Sequence, residues 1–465
     1  MFCFNGFYKN LFNDSRKITI GVVYLSLLLD NVLLTMVVPI MPDFLIKNSI
    51  DGNKPENNQE YRMISSYQNE SYDNVTSSSS YKTIFDVPNM ENGRMSILLS
   101  SKALVQLILN PVVGVITNRV GYTLPLFLGT CTLLISATVF AFSTGYFALF
   151  LARSFQGVAS SCIGITGMCL VAEKYPEEPE RSKMMGFVLG SVAVGVLIGY
   201  PFGGFMYDYS GKTGPFLIIV LFICIDGVKE FFFRQKRYIS SGWLQLFSDR
   251  KILLTGGAIG ISTSTIAILE PCLPIWLLQE IKPKKWQLGT AFIPDSLGYF
   301  IGTNSMALIA YQSRRSMIAI PSMILVGLSA SLVPAAKTML QLVIPHFFLG
   351  FGIGAVDAAL VPLLAALVDT KYSTHYGAVY AMQQISVSLA YSLGPVFGSG
   401  MTEIVGFPWM MRIVGIINIL YSFLLFKLDK FHSENYLNRK RDIVDYHSSG
   451  KINYEKFSES DNTSE

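Results

Sequence analysis

The sequence predicts an all-α membrane protein of twelve transmembrane helices arranged as two six-helix halves. Three observations predict it. The 465 residues are 51% hydrophobic and only 15% charged, with a mean hydropathy of +0.42, too apolar for an ordinary soluble domain. Apolar stretches of about 20 residues, the length a helix needs to cross a hydrocarbon core of about 30 Å, recur along the chain. A polar, basic segment near the middle divides these stretches six and six.

In chain order, residues 1–17 read as a cytosolic tail and 18–233 as the first half, with spans at 18–45, 95–117, 122–143, 147–172, 183–207 and 214–233. The segment 46–93 is rich in Asn, Ser, Tyr and Glu, has no apolar period, and reads as a loop. Residues 234–251 are the linker. The second half, 252–428, has spans at 252–279, 287–311, 316–336, 340–369, 376–401 and 408–428. The tail 429–465 is polar and Ser-rich, a composition that stays disordered. The first apolar run is too long for a cleavable signal and has no small-residue cleavage site after it, so it counts as a span.

Lys and Arg in short loops favour the cytosol. Arg16, Lys17, Arg119, Lys174, Arg181, Lys183, the run from Arg234 to Lys251, Arg314, Arg315 and Arg439–Arg441 fall on one side of the predicted topology. Lys212, Lys337 and the cluster Lys282, Lys284 and Lys285 fall on the other. The balance places both termini in the cytosol and loop 46–93 in the lumen, where the sequons at Asn69 and Asn74 are candidate glycosylation sites. The net charge of +4 follows this bias and points to no nucleic-acid partner. Six cysteines lie mostly within spans and imply neither a disulfide framework nor a metal site. No nucleotide loop or nucleophile–base set appears, so no enzyme and no cofactor is expected.

Charges inside spans are costly and mark pathways or buried pairs. Asp30 in LLLDNVLL, Lys102 in LSSKALVQL, Glu270 in AILEPCLPIW and Asp357 in GAVDAALVP stand out. Buried ion pairs would explain any one of them, but three carboxylates against one lysine leave negative charge in excess. Surplus carboxylates bind a cation or a proton. Competition between the two for one carboxylate couples their fluxes.

The segments LLLDNVLLTMVVPIMP, SSKALVQLILNPVVGVITNRVGY, ARSFQGVASSC, GKTGPFL, LEPCLPIW, KWQLGTAF and YSLGPVFG resemble the vesicular monoamine transporters, and the match covers nearly every span. The resemblance implies the major facilitator fold and alternating access. It implies exchange of luminal protons for cytosolic serotonin-, dopamine- or histamine-class amines, in synaptic or secretory vesicles acidified by a separate proton pump. Asp30 and Glu270 resemble substrate acids, Glu270 and Asp357 proton-coupling acids, Lys102 the second-span lysine, and Tyr299 and Tyr391 pocket tyrosines. An aromatic wall suits a protonated arylethylamine. Asn31 stands beside Asp30, either to orient the amine or to pack. Asn118 and Arg119, with Gly114 and Gly121, resemble a cytosolic gate motif, and Arg181 an arginine opening span five. Arg153 and Gln156 resemble a fourth-span motif in which arginine tunes nearby carboxylates, with snorkelling to a helix end the competing account. Gly195 and Gly199 belong to a glycine stripe expected where helices rock or pack closely.

Two positions depart from the family pattern. Gln384 stands where the resemblance implies an aspartate paired with the lysine, so Lys102 either meets a remaining carboxylate or is neutral for part of the cycle. The cysteines that join two luminal loops in the family are missing, with Pro283 near one expected place. Alternatives are a vesicular acetylcholine transporter or broader organic-cation:proton antiporter, and, more distantly, an uncoupled facilitator or receptor of the same fold.

Overall fold

The computed structural model describes residues 15–52, 89–231, 248–283, 287, 290–312, 315–371 and 376–426. Asn69 and Asn74, most of the linker and both tails lie outside these residues. Twelve α-helices are described. The first half comprises α1 (Ser15–Gly52), α2 (Asn89–Val120), α3 (Thr123–Phe142), α4 (Tyr146–Lys174), α5 (Glu178–Ser210) and α6 (Thr213–Phe231). The second comprises α7 (Arg250–Glu280), α8 (Ile293–Gln312), α9 (Arg315–Leu332), α10 (Met339–Lys371), α11 (Tyr376–Val405) and α12 (Phe407–Leu424).

Each expected span has its helix, and the boundaries move for local reasons. Helix α1 runs on to Gly52 and α2 starts at Asn89, so both ends of the predicted 46–93 loop are helical. Helix α8 begins at Ile293 rather than 287. Pro334 follows α9, whose end tightens into the 3₁₀ turn Val333–Ala335. The turn from α2 to α3 needs φ +97° at Gly121, a left-handed conformation open to glycine at little cost.

The halves repeat one packing plan. In the first, α1 packs on α5, α2 on α4, and α3 on both α4 and α6. In the second, α7 packs on α11, α8 on α10, and α9 on both α10 and α12. Adding six to each helix number converts one set into the other. The seams between halves obey the same rule: α2 meets α11, and α8 meets α5.

Polarity is inverted relative to a soluble bundle. Ile108, Phe147, Val396 and Trp409 are 60–71% exposed on the outer surface, whereas Asp30, Lys102, Arg153, Gln156 and Asp357 are buried. An apolar surface suits hydrocarbon, in which helices satisfy their own backbone groups. Nine of the twelve helices are long and apolar enough to cross a membrane. The others are α6, whose apolar stretch is shorter, and α8 and α11, which carry polar residues.

Candidate functional site between the halves

In the first half, α1, α2 and α4 converge on Asp30. Lys102 Nζ lies 3.3 Å from Asp30 Oδ2. Ser160 Oγ lies within 2.7–2.8 Å of both carboxylate oxygens. Gln156 Nε2 donates to Oδ1 at 3.3 Å and to the Asp30 carbonyl at 3.2 Å. Gln156 in turn accepts from Arg153 at 2.7 Å. Arg153 is 2% exposed and also reaches the Leu34 carbonyl. It points inward and does not snorkel. Of the two accounts open for Lys102, pairing with a remaining carboxylate is the one observed. Gln384 instead accepts from Gln106 at 3.3 Å, one helical turn from Lys102.

The second half is less completely paired. Tyr200, on α5, donates to Glu270 Oε1 on α7 at 2.6 Å. Tyr299, on α8, donates to Asp357 Oδ2 on α10 at 2.8 Å, while Asp357 Oδ1 is buried without a hydrogen-bond partner. Asp295, in the first turn of α8, also has an unpartnered Oδ1. Tyr391, on α11, lies within electrostatic reach of Glu270, Asp295 and Asp357. Glu270, Tyr200, Asp295, Tyr299 and Tyr391 are all partly exposed, which marks an open space between the halves. Across it, Arg153 and Lys102 are close enough to act on Glu270.

At the end where α2, α4 and α10 finish, polar contacts tie the halves together. Arg181 Nη1 lies 2.6 Å from Asp369, which also accepts from the Tyr376 hydroxyl. Arg315 meets Glu178 at 2.6 Å. Gly114 and Asn118 face Gly377 and Ala381 of α11 so closely that a Cβ at Gly114 would stand 2.5 Å from that of Ala381. Arg119 is exposed. At the opposite end of the first half, Lys212 in the α5–α6 turn donates to the Ser143 carbonyl, and burial lowers its ammonium to about 8.

The glycine stripe of α5 has two faces. Gly195 and Gly199 lie against Asn31, Val32 and Thr35 of α1, within the same half. That is close packing, and the glycines that meet the other half are Gly186 and Gly190, against Thr303, Ala307 and Asn304 of α8. Asn31 donates to the Leu27 carbonyl at 2.8 Å and packs toward Gly195, so it is turned to α5 rather than to the open space.

The sequence matches the Major Facilitator Superfamily over residues 23–276 and again over 253–448. It is 38% identical over 459 residues to the human synaptic vesicular amine transporter, covering 89% of this chain and 88% of that one. The chain belongs to the vesicular amine transporters of the Major Facilitator Superfamily. A zebrafish protein described as probable vesicular acetylcholine transporter-B is 34% identical over 417 residues, covering 88% of this chain and 78% of its own. The crystal structure of the human organic anion transporter MFSD10 (TETRAN) shares the fold, with a TM-score of 0.71 at 18% identity, over 89% of this chain and all of that one.

For this vesicular amine transporter family member, the structure adds site residues that sequence reasoning passed over. Tyr200, Asp226, Asp295, His346, Glu178 and Asp369 all make or face polar contacts in the interior or at the tied end. Asp226 accepts from Ser26 of α1 at 2.6 Å. Asp295 lies inside the expected span 287–311 and Asp226 inside 214–233, and neither was singled out there. Tyr200 has no signal without its partner 70 residues away.

Proposed function

We propose that this protein exchanges protons for a cationic monoamine, loading the amine from the cytosol into acidic vesicles by alternating access. The observation that supports it most is the incompletely neutralised space between the halves. Among the described residues, Asp30, Glu270 and Asp357 face it or border it, with Lys102 and Arg153 as the cations. Such a space attracts cations, and its tyrosines offer ring faces to an ammonium.

The end tied by Arg181–Asp369 and Arg315–Glu178 carries the basic loops, and we assign it to the cytosol. The described conformation is then closed toward the cytosol, with both termini on that side. A gradient of one pH unit supplies about 1.4 kcal/mol per proton, roughly tenfold in amine concentration, so strong accumulation needs more than one proton per cycle. More than one acid here is available to carry them.

A protonated primary amine fits better than a quaternary ammonium. Glu270 and Asp357 offer acceptor oxygens, and a primary ammonium brings N–H donors to a carboxylate where choline esters bring none. Uptake of labelled serotonin into acidified vesicles tests this reading, with and without a protonophore and with excess acetylcholine. Uptake that needs the gradient and resists acetylcholine is expected. Uptake of acetylcholine alone, or serotonin uptake indifferent to the protonophore, would refute it.

A further inference from the structure

Where α8 and α10 begin, two polar side chains stand in the seam with unsatisfied atoms. His346 is 0% exposed, and neither ring nitrogen has a hydrogen-bond partner. Its ring lies against the backbone of Ala291. One turn along α10 is Gly350, over which Asp295 of α8 lies: a Cβ there would stand 2.8 Å from Asp295 Oδ1. Positions 346 and 350 share a helix face, so imidazole and carboxyl occupy adjacent turns of one seam. Neither is used by the exchange described above.

The seam reaches toward Glu270. Phe292 meets His346 edge-on at 5.5 Å and stacks with Tyr200 at 6.1 Å. Tyr200 donates to Glu270. At this same end, a cleft of about 250 Å³ is lined by Gln287, Thr290, Ala291, Pro294 and Val343, neighbours of Asp295 and His346 in sequence. The titratable groups facing Asp295 are Glu270 from α7, Tyr299 from α8 and Tyr391 from α11. Asp357 lies further along α10, and Arg315 of α9 is at the tied end.

We propose that Asp295 and His346 form a proton-binding pair that passes protons between the cleft and Glu270, a relay separate from the Tyr299–Asp357 pair. A neutral imidazole holds a proton on one nitrogen and accepts one on the other, so it can take and give in the same step. Only O–H and N–H bonds change, with water in the cleft as the outer partner. The relay rests on the proton-exchange reading and identifies the side from which luminal protons reach the site.

The test uses the full chain in phosphatidylcholine vesicles, with labelled serotonin followed in two assays. Net uptake is measured against internal pH, and serotonin–serotonin exchange is measured at equal pH on both sides. The double variant Asp295→Asn/His346→Gln is expected to keep exchange within about two-fold and to lose at least about ten-fold of net uptake. Asp295→Glu, which retains a titratable carboxyl, should restore net uptake. Unchanged net uptake and pH profile in the double variant would overturn the relay. So would an equal fall of exchange and net uptake in both the double variant and Asp295→Glu, since that marks a packing role. Wild-type protein that exchanges serotonin but shows no pH-driven uptake would overturn the proton-exchange reading itself, and the relay with it.

Discussion

The two halves repeat one packing plan but not one electrostatic plan. Around Asp30, every oxygen meets donors from Lys102, Ser160 and Gln156. Around Asp357 a single tyrosine donates and the other oxygen is bare. A carboxylate saturated by its own protein is held in place, and an ammonium reaching it must first displace Lys102. A carboxylate with one donor has room for a proton or a ligand. Repetition of the fold thus leaves one half with its central acid fully paired and the other with its acid half-paired.

The sharpest way to break this contrast is to neutralise one acid in each half. Asp30→Asn leaves Lys102 buried without its counter-charge, which typically costs about 3–5 kcal/mol. The folded yield and melting temperature should fall steeply, and the double variant Asp30→Asn/Lys102→Met should recover them while uptake stays absent. Asp357→Asn removes no partner of a buried cation, and its melting temperature should stay close to wild type. Equal destabilisation by the two single variants would erase the distinction.

Next in size is Glu270→Gln, which removes charge from the space between the halves. A hydrogen bond to a charged group contributes about 1.5–3 kcal/mol, so amine affinity should fall about ten- to a hundred-fold, read by displacement of a labelled amine. The tyrosine pair sharpens the comparison further. Tyr200→Phe should weaken amine binding by a few-fold through Glu270, whereas Tyr299→Phe should slow net uptake while leaving binding within about two-fold.

How much of this was legible in the sequence follows from what a residue needs in order to be noticed. Asp30, Lys102, Glu270 and Asp357 interrupt long apolar runs, and the structure places all four at or beside the space between halves. Their partners were invisible, because Ser160, Gln156 and Tyr200 are ordinary residues in a helix until another helix is beside them. His346 is a lone polar residue next to Pro345 inside the expected span 340–369, and no partner for it is visible in the sequence. Nine of the twelve helices were plain from hydropathy, and α6, α8 and α11 less so, but which glycine faces which helix was not legible. Gly195 and Gly199 fitted either a rocking or a closely packed interface, and they face α1 within one half.

The smallest expected effects separate those two kinds of glycine. Gly195→Ala forces a methyl against the Leu28 carbonyl and Asn31 inside one half, and overpacking of this sort costs about 1–3 kcal/mol, visible as a lower melting temperature. Gly186→Ala meets Ala307 and the Thr303 carbonyl across the halves. It should leave each half intact and shift accessibility of the tied end, measured by cysteine labelling there. The same loss of stability from both would place the two glycines in one class.

The bare contact of α5 on α8 at Gly186 also bears on speed. Helices that touch through backbone and a methyl group uncover little greasy area when they part. Burying one leucine side chain contributes about 1.5–3 kcal/mol, and each 1.4 kcal/mol on a barrier slows a step roughly tenfold. A leucine-toothed seam would therefore clamp the carrier shut for most of its working life, and a glycine-smooth one lets it turn over.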